Sequence, residues 1–307
     1  MALTQQRRQT INTTEGNVVM KVGIDSYCFH RYFGEVYPDV QTDPGTRWRM
    51  EGEFLDFALE QDISEIALEA CFFNALDDGL CAEIKGRLDD AGIDRLLGWG
   101  HPEGLWGGER PDELENLKRH LPQVVKLGAD RMRIVAASLN YAKAPREELI
   151  RRVIPLLAEA AAAAENEGVV LALENHIDFT SAELLRILGE VGSDFLRVNF
   201  DTGNCVRVRE DPVEAATRLA PHTISTHTKD VAARGEGESP SEFLTWWWPC
   251  TPAGEGDVDM QGVVTALRAG GFNGTLSLEI DLMADKWASL REEEIVVRSL
   301  SYLRTLN

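Results

Sequence analysis

Four side chains that commonly bind metal ions each follow a short apolar segment in the second half of the chain. They are Glu174, Asp201, His227 and Glu279, which follow residues 169–173, 196–200, 223–226 and 275–278. The first three are separated by nearly equal steps, and the last step is longer. If the apolar segments are parallel strands of one sheet, their carboxyl ends meet at one edge. The pattern therefore predicts a divalent-metal centre built from four strand ends.

The side-chain types in this candidate centre indicate which metal it would take. Three carboxylates and one imidazole supply mostly oxygen ligands, which suit Mn²⁺ and Mg²⁺. We expect one divalent ion, with Mn²⁺ as the first choice and Mg²⁺, Co²⁺ or Zn²⁺ as alternatives. No cysteine belongs to the set, so a structural zinc site is disfavoured. A metal held in this way can polarise carbonyl and hydroxyl oxygens of a ligand and favour loss of a proton beside a carbonyl.

The elements that would position these residues alternate along the chain. From residue 20 onward, short apolar runs alternate with segments of helical periodicity, which makes eight strand–helix units. This predicts an α/β fold, a (β/α)8 TIM barrel, whose active site lies at the C-terminal ends of the strands. We expect residues 1–19 to be a polar tail and residues 20–307 to be a single barrel domain. Long loops are expected after strand 1, at 27–45, and after strand 7, at 231–258; loops of this length often cover a site.

Local signals mark several helix starts. Thr180 and Glu183 have the spacing of a capping box ahead of a helix at 181–191. Asp211 and Pro212 mark the start of a helix near 211–220. The segment 254–259 is expected to make a tight turn and cap a helix that starts near Met260.

The 307-residue chain is strongly acidic, with 51 acidic and 31 basic residues and a formal net charge of −20. Such a field repels phosphate backbones and anionic lipid surfaces, which excludes nucleic acid and membranes from the expected partners. No apolar run is long enough for a membrane span, and the N-terminus lacks the apolar centre of a secretory signal. We therefore expect a soluble, cytoplasmic protein. Its five cysteines are scattered, which predicts buried or free thiols.

Five motifs resemble those of a known family, the xylose-isomerase-like barrel superfamily of sugar isomerases and epimerases. The motifs are LALENH at 171–176, NFDTGN at 199–204, THTKD at 226–230, GEGDVD at 254–259 and SLE at 277–279. The resemblance implies that Glu174, Asp201, His227 and Glu279 bind one divalent ion. It also implies that Glu174 and Glu279 are the catalytic acid–base pair, which moves a proton next to a carbonyl through a metal-stabilised enediolate. The expected substrate is a ketose or another polyol.

Two positions depart from the ketose 3-epimerase pattern within that superfamily. Those enzymes carry a glutamate where this chain has Thr180 and a histidine where it has Asn204. The departures favour a second hypothesis, a metal-dependent lyase of the same fold, such as an inosose or dehydroshikimate dehydratase or a 3-oxo-glycoside β-eliminase. Asn204 also replaces a zinc ligand of the DNA-repair endonucleases of this superfamily, which disfavours that branch. A third hypothesis is a non-catalytic barrel that binds a sugar or a partner protein.

Two further residues are catalytic candidates because each lies two positions after a proposed metal ligand. In an extended strand such residues point to the same side. His176 could act as a general base or hydrogen-bond a substrate hydroxyl, and it could equally fix the loop after strand 5. Lys229 could bind a substrate oxygen or stabilise the enolate. The alternative for Lys229 is an ordinary salt bridge to Asp230 or Glu279.

Five residues are candidates for substrate binding: His30, His101, Asn204, Trp246 and Trp248. His30 and His101 follow strands 1 and 3, where a barrel mouth would place them. Trp246 and Trp248 lie in the loop after strand 7, and their rings suit the apolar faces of a sugar. The same rings could pack internally or contact a second copy, so the sequence is compatible with a homo-oligomer. No glycine-rich or arginine-rich phosphate cradle is evident, which favours an unphosphorylated carbohydrate as the small-molecule partner.

Overall fold

Eight parallel strands form the centre of the fold. A computed structural model describes residues 20–37, 40–141, 143–232 and 248–306. The strands in this part of the chain are β1 (Lys21–Asp25), β2 (Glu65–Glu69), β3 (Asp94–Gly98), β4 (Arg131–Ile134), β5 (Val170–Glu174), β6 (Leu196–Asp201), β7 (Thr223–His227), β8 (Asp230–Val231), β9 (Cys250–Thr251) and β10 (Thr275–Leu278). β8 and β9 form a separate antiparallel pair, and the other eight lie side by side in the order β10, β1, β2 and so on to β7.

The first and last strands of the barrel are neighbours. β1 pairs in parallel with β10, with Lys21 opposite Thr275. β10 also meets β7, because Thr228 lies opposite Leu278 and its N–H donates to the Ser277 carbonyl at 2.6 Å. The barrel is thus nearly closed, and the predicted (β/α)8 TIM barrel is confirmed.

Helices surround the barrel and cover its outer face. They are α1 (Leu55–Leu59), α2 (Asp78–Ala91), α3 (Pro111–Lys126), α4 (Arg146–Glu167), α5 (Ser181–Val191), α6 (Thr202–Arg207), α7 (Pro212–Leu219), α8 (Met260–Ala269) and α9 (Glu292–Leu303). One contiguous apolar core contains side chains from both strands and helices, so most apolar burial occurs between the two layers. α6 was not predicted, because six residues are too few to show a helical period.

The helix starts follow the predicted caps. Thr180 Oγ1 accepts from Glu183 N at 3.4 Å, and Glu183 Oε2 accepts from Thr180 N at 2.8 Å, so both halves of the capping box are formed. The Asp211 side chain caps α7, and the Asp259 side chain caps α8. These local signals therefore set where α5, α7 and α8 begin.

Replacing Thr180 by alanine should lower the free energy of unfolding by about 1 kcal/mol, because α5 loses its N-cap hydrogen bond. Urea denaturation measures the change. Thr265→Ala is the matched control, since Thr265 lies exposed within α8, where alanine is the better helix former. A Thr180 variant as stable as the control variant would contradict the capping role.

Some predictions fall outside the described residues. These are the tail at 1–19, Trp246, and residues 233–247 of the loop after β7. Within the described ranges, no helix combines the length and apolar character that a membrane crossing requires.

Candidate active site

The four side chains at the strand ends lie together at the C-terminal end of the barrel. Glu174, Asp201 and His227 end β5, β6 and β7, and Glu279 directly follows β10. One ligand atom from each lies within 4.8 Å of the others. His227 Nδ1 is 3.1 Å from Glu279 Oε2 and 3.5 Å from Glu174 Oε2. All four side chains are buried, so the strand-end pattern selected residues that the fold brings into one cluster.

Neighbouring residues hold this carboxylate cluster in place. Asp25, at the end of β1, lies 3.2 Å from His227 Nε2, while Nδ1 faces the carboxylates. The Asn204 side chain donates to Glu174 Oε1 at 3.0 Å, and the Asn204 backbone N–H donates to Asp201 Oδ1 at 2.8 Å. Asn204, a predicted substrate-binding residue, is fully buried. Its contacts make it a residue that positions the carboxylates.

Lys229 and Asp281 add a second set of charges to the cluster. Lys229 Nζ lies 2.9 Å from Glu279 Oε2 and 3.0 Å from Asp281 Oδ2. Arg207 donates to both oxygens of Asp281, at 2.7 and 2.9 Å. Two salt-bridge partners were considered for Lys229, Asp230 and Glu279, and the structure pairs Lys229 with Glu279. Asp230 instead accepts backbone N–H groups of the 254–258 turn.

A buried ion pair at the ends of β2 and β4 borders the cluster. Arg133 donates to Glu69, and its Nε lies 3.5 Å from Glu174 Oε2. The Glu69 side chain crosses Gly98 so closely that a Cβ at this position would overlap Glu69 Oε1, so the arrangement requires glycine. Sequence reasoning missed both Glu69 and Asp25, although each closes a strand as the four predicted residues do.

The buried charges of the cluster do not balance among the described residues. Carboxylates outnumber permanently charged cations; the carboxylates are Asp25, Glu69, Glu174, Asp201, Glu279 and Asp281, and the cations are Arg133, Arg207 and Lys229. His227 and Lys229 pair with several of these carboxylates: His227 Nε2 lies 3.2 Å from Asp25 Oδ2, and His227 Nδ1 and Lys229 Nζ lie 3.1 and 2.9 Å from Glu279 Oε2. The remaining excess of buried negative charge is costly. The donor set therefore fits a divalent cation with oxygen and nitrogen ligands.

The charges in the cluster shift the pKa values of its members. Burial favours the neutral imidazole, yet the charges of Glu279 and Glu174 outweigh burial and raise the pKa of His227 well above its usual value. Burial would likewise raise the pKa of Glu279, but Lys229 and His227 hold it well below its usual range. Without a bound ion, His227 is therefore a protonated partner of the carboxylates.

A cavity of about 190 Å³ borders the cluster, and we call it the catalytic cavity. Its wall contains Glu174 and Glu279 together with three other predicted site residues, His101, His176 and Lys229. Burial lowers the pKa of His176 to about 4, so its imidazole is neutral near pH 7 and can hydrogen-bond a hydroxyl. Two glutamates and an imidazole therefore face one cavity.

His30 and Trp248 lie outside the wall of the catalytic cavity. His30 is buried, with Nδ1 3.0 Å from the Tyr27 carbonyl and Nε2 paired with Gln41. Trp248 packs against the apolar core, and its carbonyl accepts from Arg207 at 2.9 Å. His30 supports the cavity indirectly, because its ring stacks on Tyr27, a wall residue, with 5.0 Å between ring centroids.

His101 has a carboxylate partner that sequence reasoning missed. Its Nε2 lies 2.6 Å from Glu35 Oε1, and Tyr27 donates to the same oxygen at 3.1 Å. Burial would raise the pKa of Glu35, but the hydrogen bond and charge of His101 lower it. Glu35 and His101 are 66 residues apart, so no local pattern links them. A carboxylate that orients an imidazole at a cavity wall is suited to proton transfer.

Comparison with protein families and curated proteins gives two matches. A family model described as xylose isomerase-like TIM barrel matches residues 58–306. The uncharacterized protein YihM of Escherichia coli (strain K12) is 32% identical over 66 residues, which are 22% of this chain and 20% of YihM. That match therefore spans about a fifth of the length of the curated relative.

Several solved structures share the fold over most of the chain. A xylose isomerase domain protein from Planctomyces limnophilus has a TM-score of 0.70 at 18% identity, covering 95% of this chain and 98% of that one. D-psicose 3-epimerase, solved in the presence of D-fructose, has a TM-score of 0.70 at 18% identity, covering 94% and 99%. The probable 3-DHS dehydratase AsbF from Bacillus anthracis has a TM-score of 0.69 at 15% identity, covering 94% and 100%. Likeness at this level of identity establishes the fold.

Proposed function

The chain belongs to the xylose isomerase-like TIM barrel family, and from this membership we propose that it is a divalent-metal-dependent sugar isomerase or epimerase. Its substrate is an unphosphorylated ketose or polyol, and the reaction begins with removal of a proton next to a carbonyl. The observation that carries the proposal is the buried cluster of Glu174, Asp201, His227 and Glu279 beside the catalytic cavity. The likeness in fold to D-psicose 3-epimerase supports the same choice.

Glu174, Asp201, His227 and Glu279 are proposed to hold the ion. The excess of buried carboxylates and the His227 Nδ1 that faces them fit Mn²⁺, with Mg²⁺, Co²⁺ and Zn²⁺ as alternatives. When bound, the ion supplies positive charge that stabilises negative charge on the sugar oxygens. Asp25 would orient the imidazole through Nε2, as a carboxylate commonly does for a histidine that binds a metal.

Glu174 and Glu279 are the proposed acid–base pair. They reach the catalytic cavity from β5 and from the end of β10, so one carboxylate can remove a proton from a substrate carbon while the other returns one. The Lys229 ammonium, 2.9 Å from Glu279, favours negative charge in this part of the site. His176 is neutral and can hydrogen-bond a substrate hydroxyl.

A lyase of the same fold is the second candidate, and the pairing of His101 with Glu35 favours it. Elimination needs an acid for the departing hydroxyl, and His101, which is paired with Glu35 at the cavity wall, is the proposed donor of that proton. In that reaction Glu279 takes the carbon-bound proton, the freed electron pair forms a carbon–carbon double bond, and the hydroxyl leaves as water. The likeness in fold to AsbF is consistent with this candidate.

Incubation in D₂O with a panel of ketoses, inososes and 3-oxo-glucosides separates the two candidates. An isomerase or epimerase places solvent deuterium on the carbon next to the carbonyl, which NMR detects. A lyase gives an unsaturated product that absorbs in the ultraviolet. Metal-loaded protein that causes neither change with any of these compounds would contradict both candidates.

Adding Mn²⁺ to metal-stripped protein should raise its thermal stability, by about 2.7 kcal/mol when the ion is at a hundred times its Kd. Because the pKa of His227 is raised in the metal-free state, Nδ1 must lose a proton to bind the ion. The gain should therefore shrink as the pH is lowered. Calorimetry with and without a chelator measures this metal-dependent gain in stability. The Asp201→Asn variant should lose most of the gain. A melting temperature that none of the four candidate ions changes would argue against the site.

A further inference from the structure

A second cavity adjoins the catalytic cavity. It has a volume of about 260 Å³, and the loop after β3 together with α3 forms much of its wall. We call it the distal groove and define it by Trp99, Trp106, Glu113, Asn116, His120 and the buried Glu69. Residues 101–103 belong to the walls of both cavities, so the two cavities lie next to each other at this turn.

The sizes of the two cavities indicate a ligand that occupies both. Small-molecule sites in proteins usually measure about 300–1,000 Å³. The catalytic cavity, at about 190 Å³, is smaller than this, and so is the distal groove, at about 260 Å³. Only the combined volume of the two cavities falls within the usual range. This points to a substrate that has a second chemical group beyond the group that reacts.

The side chains of the distal groove suit a neutral sugar ring. The indole of Trp106 is half-buried, and the Arg110 guanidinium lies over the ring, 5.4 Å from its centroid. A flat apolar ring of this kind packs well against a sugar face. Glu113, Asn116 and His120 offer acceptors and donors for hydroxyl groups. The carboxylate of Glu113 also repels phosphate, which disfavours a phosphorylated ligand.

The loop that forms the groove is fixed in position. A Cβ on Gly104 would overlap the Val135 carbonyl, so the backbone of the loop lies directly against the end of β4. Leu105 N donates to that same carbonyl at 3.1 Å. Trp106 adopts a left-handed backbone conformation, with φ of 51°, which is strained for a large side chain and is found most often at functional sites. The backbone that carries the indole is therefore fixed before a ligand arrives.

A buried polar atom in the groove also lacks a partner. Glu69 is only 1% exposed, and its Oε2 accepts no hydrogen bond from any described residue, although Oε1 accepts one from Arg133. Buried carboxylate oxygens are rarely left in this state. A hydroxyl group on a bound ligand would supply the missing donor.

We propose that the distal groove binds a second, neutral sugar ring, so that the substrate is a glycoside or disaccharide whose reacting ring lies in the catalytic cavity. This inference rests on the proposed function, because it assigns the reacting ring to the carboxylate cluster. Trp106, Asn116 and Glu69 then determine which glycosides the protein binds.

The test compares sugars that differ only in the second ring. Isothermal titration calorimetry of Mn²⁺-loaded protein would use D-fructose and four glucosyl-fructoses of different linkage: turanose, maltulose, leucrose and isomaltulose. At least one disaccharide is expected to bind ten times more tightly than D-fructose. Asn116→Trp, which fills the groove, should reduce that ratio of affinities to about one. Trp106→Ala should reduce it as well, and gives a second reading if the larger indole disturbs folding.

Arg119→Trp is the matched control, because it adds the same ring to an exposed position of α3 and should leave both affinities unchanged. A disaccharide advantage that persists in both groove variants would overturn the inference. D-fructose binding with no advantage for any disaccharide would also overturn it, while leaving the proposed function in place. Binding of none of the five sugars by metal-loaded protein would overturn the proposed ketose specificity as well.

Discussion

Replacing Glu279 by glutamine should lower kcat by about 10²–10⁴-fold, the usual contribution of a residue that transfers a proton in the rate-limiting step. Glutamine has nearly the same shape and keeps an oxygen that can face a cation, but it cannot take up a proton. Turnover of the best sugar in the substrate panel, together with deuterium uptake at the carbon beside the carbonyl, measures the effect. Elemental analysis of the same sample separates loss of the base from loss of the ion.

Glu165→Gln is the matched control, because it makes the same change of charge at an exposed position of α4. It should leave kcat unchanged. A Glu279 variant that is folded, loaded with metal and fully active would remove Glu279 from the acid–base pair.

Replacing Asp281 by asparagine should destabilise the metal-free protein by about 3–5 kcal/mol, the usual cost of leaving a buried cation unpaired. Asp281 accepts two hydrogen bonds from Arg207 and lies 3.0 Å from Lys229. Both cations are buried with it, and asparagine cannot balance their charge. Urea denaturation measures the difference, and Asp43→Asn, in the exposed pair with Arg47, is the control that should change stability little.

The effect of Asp281→Asn should also depend on pH. Burial would raise the pKa of Asp281, but Arg207 and Lys229 hold it well below its usual range in the folded state. A carboxylate with a depressed folded-state pKa stabilises the protein above its unfolded pKa of about 4, and this contribution is lost on acidification. The wild type and the variant should therefore converge in stability below about pH 4. A stability difference between wild type and variant that stays constant as the pH falls below about 4 would contradict the ionic role of Asp281.

The parts of the site that follow a strand directly could be predicted from sequence. An apolar run that ends in a carboxylate or imidazole fixes both the place and the direction of that side chain, which is why Glu174, Asp201 and His227 meet. Asp25 and Glu69 carry the same signal and could have been found by it. Asp281 lies two positions after Glu279, the same step that singled out His176 and Lys229, so it too could have been found.

Other contacts depend on the closed shape of the barrel. Arg133 lies next to the last residue of β4, and the sequence of β4 alone does not indicate that Arg133 pairs with Glu69 on β2. Glu35 and His101 meet only because the loops after β1 and β3 are neighbours at the barrel mouth. Contacts between residues on different strands or loops can be predicted only when the order of the strands is known. Capping residues such as Thr180 act within one turn of helix, and the Thr180 cap was predicted correctly.

The barrel can close only late in protein synthesis, because β1 pairs with β10. β1 is synthesised early, and its partner β10 is synthesised about 250 residues later. The nascent chain therefore has an open sheet edge for most of translation. Glu279 directly follows β10, and the same event therefore completes the carboxylate cluster. A stalled or truncated nascent chain that ends before β10 would expose a sheet edge that is prone to aggregation. It would also contain Glu174, Asp201 and His227 without Glu279, so the cluster would be incomplete.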